Sequence, residues 1–163
     1  MSGAEDAEAT PIDVIRDLHR WFAAVPFEAA REALVSTETW EEFRLASLER
    51  GFEYPDVIDP GVEIPAEGIG GLRDEVGFKG LDGWVRFWRA WFEPWADYEW
   101  TISNVEQVGD RVIIDGSNVA HGRGSGAPVR WDNTQVWTVR SGKVVHLVGY
   151  ETRGEAMAAL DSD

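Results

Sequence analysis

Apolar residues recur at helical spacing through the first half of the chain and alternate at strand spacing through its last third. The first stripe, Ile15, Leu18, Phe22 and Val25, predicts a helix opening at Thr10-Pro11-Ile12-Asp13. There Thr10 can cap the free amides, Pro11 suits the first helical position and Asp13 can return a bond to the cap. Pro26 ends that helix, and a second short one is expected over Phe27–Val35. A third is read as opening at Ser36-Thr37, with Trp40, Phe43, Ser47 and Leu48 on its inward side and Gly51 as terminator. The strongest later stripe runs from Leu81 to Trp95. It carries Leu81, Trp84, Val85, Trp88, Trp91, Phe92 and Trp95 on one side and Asp82, Arg86, Arg89 and Glu93 on the other, with Pro94 closing it.

Four strands follow, at 98–108, 111–121, 129–139 and 143–150. Gly109-Asp110, the Gly122–Gly126 stretch and Ser141-Gly142 join them as hairpins. Val62-Glu63-Ile64 suggests one short earlier strand, residues 66–80 read as a loop, and Thr152 with Glu155 opens a last helix through Leu160. Helices first and antiparallel strands after them make an α+β domain, its sheet hiding one face against the helices.

Strand parity assigns those faces. In 129–139 the inner set is Val129, Trp131, Asn133, Gln135, Trp137 and Val139, because the other set would bury Arg130 and Asp132. The same test turns Val112, Ile114, Gly116, Asn118 and Ala120 inward from the preceding strand, and Tyr98, Trp100 and Ile102 before it. In the last strand Leu147 and Gly149 are taken as inner. Three amides, Asn118, Asn133 and Gln135, then stand on an otherwise apolar face, where an unpaired amide costs about 1–3 kcal/mol. Two accounts remain open. The amides bond one another, or they line a cavity and orient a ligand between tryptophan walls.

Charge and composition narrow the partners. Fifteen basic residues against 30 acidic give a net charge of −15, which repels nucleic-acid phosphates and anionic membranes. There is no cysteine, so disulfides, thiolate chemistry and cysteine-held metals are excluded. No secretory pattern or apolar run of spanning length occurs, and a cytoplasmic protein is expected. His19, His121 and His146 are scattered, so neither a metal nor a cofactor is expected. The Gly122–Gly126 run lacks the Gly-Lys-Ser/Thr close of a phosphate loop and reads as a turn.

Several short segments occur in a characteristic order: Gly80-Leu81-Asp82-Gly83 with Phe87-Trp88, Val108-Gly109-Asp110-Arg111-Val112, Gly122-Arg123-Gly124-Ser125-Gly126, Gln135-Val136-Trp137, Ser141-Gly142-Lys143-Val144-Val145, and Gly154-Glu155-Ala156. Together they resemble the polyketide-cyclase (SnoaL-like) family of the nuclear transport factor 2-like superfamily. The resemblance implies a cone-shaped α+β barrel, N-terminal helices packed into a strongly bent antiparallel sheet around a hydrophobic cavity. It also implies a homodimer through the outer sheet face, here Thr134, Val136, Thr138, Val148 and Tyr150. Residues 1–9 are small and acidic, offer nothing to bury and are expected to be a disordered tail; the resemblance makes 10–36 a helical extension and 37–160 the family domain.

The family's reactive carboxylates are missing from the matching positions. A ketosteroid-isomerase-like base falls on Ile64 and its oxyanion donor on Gln135, while an epoxide-hydrolase-like acid pair falls on Asn118 and Gly149. An amide cannot serve as general base but can donate to an oxyanion. Glu63, Glu67, Asp74 and Glu151 are the acids nearest the expected cavity mouth. The expectation is a small-molecule pocket made by Trp88, Asn118, Trp131, Asn133, Gln135 and Trp137. Its ligand is a hydrophobic carbonyl or hydroxyl compound. The sequence leaves open whether the chain acts on it, as a cofactor-independent isomerase, cyclase or hydrolase of acid–base type, or is a non-catalytic dimeric binding module.

Overall fold

The computed structural model describes residues 9–65 and 77–162. Three helices come first: α1 (Pro11–Ala24), α2 (Phe27–Val35) and α3 (Trp40–Glu49). The short strands β1 (Ile58–Ile64) and β2 (Phe78–Lys79) and helix α4 (Gly80–Phe92) follow. A meander of β3 (Trp95–Val108), β4 (Arg111–Gly122), β5 (Pro128–Arg140) and β6 (Lys143–Tyr150) precedes the closing helix α5 (Arg153–Asp161).

The strands form one six-stranded sheet in the order β2-β1-β6-β5-β4-β3, curled into a cone but not closed, since β2 and β3 are its edges. Bulges between Ile102 and Asn104 and between Thr138 and Val139 supply the bend. All pairs are antiparallel except β1 with β6, which is parallel and so departs from the all-antiparallel expectation. Ser141-Gly142 explains the tightest corner. Both residues have positive φ, 52° and 76°, as a two-residue hairpin matched to strand twist requires. Helices α1, α2 and α4 fill the concave side and share one core with Val112, Ile114, Trp137, Val139, Val144 and Leu147 from the sheet.

The N-terminal cap is as expected in part: the Thr10 side chain accepts from the Asp13 amide. The third helix starts later than read. Its cap is Thr39, which forms a reciprocal box with Glu42, whereas Thr37 turns its hydroxyl back to the Ala33 carbonyl. A reciprocal capping box needs a glutamate or glutamine three residues on, and Thr39, not Thr37, has one in Glu42. Leu48 is 43% exposed and does not face the core. Helix α4 stops at Phe92, and Trp95 opens β3 instead of ending the helix. Of the expected 66–80 loop, 66–76 lie outside the described residues, and Phe78–Lys79 pair with β1.

Parity placed Arg130 and Asp132 outside, and both are exposed. Asn118, Asn133, Gln135 and Trp137 are buried, while Val129, at the free start of β5, is 39% exposed and does not join them. The outer face differs most. Thr134, Val136, Thr138 and Val148 are buried within this one chain. Helix α5 lies across them, setting Ala156, Met157 and Leu160 against Ile113, Val136 and Tyr150. Arg153 fastens α5 by ion pairs with Asp115, at 2.8 Å, and with Glu106. The face expected to join two copies is therefore already covered by the chain's own last helix.

Among the described residues no helix is long and apolar enough to cross a membrane.

Candidate functional site

Between the helices and the concave sheet lies a cavity of about 70 Å³. At about 10–15 Å³ per water-sized group, this is room for roughly five to seven of them. Its walls follow from helical periodicity. Helix α1 contributes Leu18, His19, Trp21 and Phe22; α2 adds Ala30 and Leu34; α4 adds Trp84, Val85, Trp88 and Phe92. Tyr98 and Trp100 of β3 and Gln135 and Trp137 of β5 close the sheet side, and Phe43 and Tyr54 fill the remaining corner. Among the described residues no Asp, Glu, Lys or Arg lines it.

Of the residues singled out from sequence, Trp88, Gln135 and Trp137 stand on this wall, and Asn118, Trp131 and Asn133 stand behind it. Asn118 accepts from the Tyr98 hydroxyl. It donates through Nδ2 to the Trp131 carbonyl and to Asn133 Oδ1, each at 3.2 Å. Two of the three amides thus form a cross-strand network, and the third separates from them. Gln135 Oε1 accepts from Trp137 Nε1 at 2.9 Å, which leaves its Nε2 protons as the part able to reach a ligand. Within the described residues the buried indole N–H groups of Trp21 and Trp88 and the Nδ2 of Asn133 have no partner. Such donors are costly to leave unmet.

Two titratable cavity residues, His19 and Tyr54, stand outside the expected pocket. His19 follows Ile15 by four residues and precedes Phe22 by three, so it occupies the apolar stripe of α1, and that spacing was the available signal. Its ring meets Trp137 edge-on at 6.1 Å between centroids. Burial lowers its pKa from 6.5 to about 4, so the imidazole is neutral at ordinary pH. Tyr54 sits between α3 and β1, where no periodicity applies. Its hydroxyl accepts from Trp84 Nε1 at 3.1 Å, and burial holds the phenol protonated, as it does for Tyr98.

The expected acids do not enter. Glu63 points outward from β1 and Glu151 is exposed after β6, while Ile64, at the position of the family's base, is 1% exposed in the core. Glu67 and Asp74 lie outside the described residues. His121 is half-buried and pairs with Asp97 at 2.9 Å. Among the described residues no three His, Asp or Glu side chains converge as metal ligands would.

Gly116 on β4 makes room for one cavity wall. A methyl group there would lie 2.4 Å from a ring carbon of Trp100, far inside contact distance. Gly116→Ala must push the Trp100 ring into the cavity. Overpacking of this kind costs about 1–3 kcal/mol, so urea denaturation should show a loss in that range.

Residues 38–147 match the SnoaL-like domain. The chain belongs to the SnoaL-like family. Helices α1 and α2, which supply a large share of the cavity wall, precede the matched segment. No curated protein matches the sequence significantly. Among solved structures, an NTF2-like protein from Burkholderia thailandensis E264 is similar with a TM-score of 0.56 and 20% identity, over 93% of this chain and 98% of that one. TerC, co-crystallised with polyporic acid, is similar with a TM-score of 0.53 and 19% identity, over 95% and 100% of the two chains. A structure described as a SnoaL-like polyketide cyclase, from Jannaschia sp. CCS1, gives 0.52 and 18% over 74% and 80%. At such identities the likeness establishes the cone-shaped α+β fold of this SnoaL-like chain.

Proposed function

We propose that this SnoaL-like chain binds a small, mainly apolar ring compound carrying a carbonyl or hydroxyl oxygen. Its reaction would be an isomerisation, cyclisation or hydrolysis by acid–base chemistry. One observation carries the reading: on an otherwise apolar cavity wall, two residues carry indole N–H groups that have no partner among the described residues. Trp21 Nε1 and Trp88 Nε1 are buried and unmet, and Gln135 has its oxygen already engaged. A ligand oxygen would satisfy them, and apolar walls with a few placed polar groups are the usual make-up of such sites. The solved structure of TerC with polyporic acid supports a small-molecule role on this fold.

In this reading Trp88, Gln135 and Trp137 touch the ligand, and the Tyr98–Asn118–Asn133 network holds the sheet behind them. A purely binding role has one observation in its favour, the absence of a carboxylate from the described cavity wall. Both roles require the same ligand chemistry. Acetophenone and isopropylbenzene, close in shape but differing in the oxygen, are suitable probes. In a saturation-transfer NMR titration acetophenone should bind about five- to tenfold tighter, the value of one net hydrogen bond of roughly 1 kcal/mol or slightly more. Equal affinities, or no binding by either compound, would reject the proposal.

A further inference from the structure

We propose that His19 is the acid–base residue of the cavity. It would take a proton from the carbon next to a ligand carbonyl while Gln135 Nε2 and Trp88 Nε1 donate to the oxygen. The inference rests on the cavity being the ligand site, as proposed above, and it assigns the reactive group to α1, ahead of the segment that matches the family. In the step, the C–H bond breaks and its electron pair becomes the carbon–carbon double bond of an enolate. The carbonyl π pair moves onto oxygen, and the proton resides on the free ring nitrogen of His19. Return of a proton to carbon reverses each change, so no oxidant, reductant or second substrate is needed.

The geometry narrows the choice of base. His19, Tyr54 and Tyr98 are the titratable side chains on the described wall; α2, α4 and β5 present only apolar, indole or amide groups there. Tyr98 gives its proton to Asn118, and Tyr54 uses its oxygen to accept from Trp84. Both phenols are kept neutral by burial and have no basic lone pair to offer. The neutral imidazole has one. It adjoins Trp137, whose indole fixes the Gln135 oxygen and so leaves the Gln135 amide protons for a developing oxyanion. Burial makes His19 a weak base, yet a base of pKa about 4.6 suffices for enolisation in ketosteroid isomerase, where donors hold the oxygen.

The test uses the full chain in D2O with acetophenone and follows loss of the methyl proton signal by NMR. Exchange should exceed the buffer rate by about 100-fold, the scale of one positioned base. His19→Gln should return it to the buffer rate while the acetophenone Kd changes less than about threefold. Wild-type exchange should be level from pH 6 to 8; a fall within that range would mean that a different group carries the exchange and would overturn the assignment. So would bound acetophenone that does not exchange, or a His19→Gln protein that exchanges normally. Failure of acetophenone to bind at all would instead reject the ligand site. Histidine-selective NMR of the unaltered chain needs no variant: acetophenone must shift the His19 Cε1–Hε1 signal, and an unmoved signal would overturn the proposal.

Discussion

Trp84→Ala is expected to lower the unfolding free energy by about 3–5 kcal/mol, the usual range for removing a buried tryptophan. Trp84 is 2% exposed and sits where helix α4 meets the sheet. Its ring meets Trp88 and Trp137 edge-on, each at 5.8 Å, and its Nε1 donates to Tyr54. Truncation would open a void between the two tryptophans and strip the Tyr54 hydroxyl of its donor. The rings around it are too large to collapse into the gap, so the cost should fall in the upper half of the range. For a chain of this length that corresponds to a Tm lower by about 6–20 °C. Trp84→Phe keeps most of the volume but not the N–H, and should cost about 1–2 kcal/mol. Calorimetry on both variants separates packing from the hydrogen bond. A loss under about 1 kcal/mol for the alanine variant would mean that α4 is not seated on the sheet as described.

The tryptophan stripe that locates Trp84 was legible in the sequence because one helix packs on one sheet, and a single period then reports one face. Parity in β5 worked for the same reason at its exposed end, where Arg130 and Asp132 leave only one choice of side. At the other end it also turned Gln135, Trp137 and Val139 inward, but it did not show that Thr134, Val136 and Thr138 on the opposite face are buried too. Val136 is covered by α5, brought onto the outer face by a chain reversal after Tyr150 and held by Arg153. Alternation shows that a side chain leaves one face; it carries no information about a later element covering the other. The amides divide along the same line. Their inward direction was readable, but the separation of Gln135 from Asn118 and Asn133 depends on which side chains of other strands and helices come within bonding reach. Tyr54 lies in a segment without period. His19, by contrast, is marked by its place in the α1 stripe, between Ile15 and Phe22.

The neutral imidazole of His19 should also make the fold acid-sensitive. Its folded pKa, about 4, lies below the ordinary 6.5 because burial disfavours the charged ring. Between those values the unfolded chain binds more protons than the folded one, so stability falls as pH falls. The stability is fully present above pH 6.5 and is lost progressively down to about pH 4. Each pH unit in that window is worth about 1.4 kcal/mol, giving about 2 kcal/mol between pH 7.5 and 5; access through the cavity trims the figure. The lower limit of pH 5 stays above the pI of about 4.5, where solubility is least. The remaining titratable groups on the wall, Tyr54 and Tyr98, are protonated throughout and do not contribute. Every other titratable group is common to wild type and His19→Gln, so urea denaturation of both at the two pH values isolates the one ring. Wild type should lose about 2 kcal/mol more than the variant over the interval. Equal losses would mean that His19 is protonated as easily in the fold as outside it, and is therefore solvated and not part of a dry cavity wall.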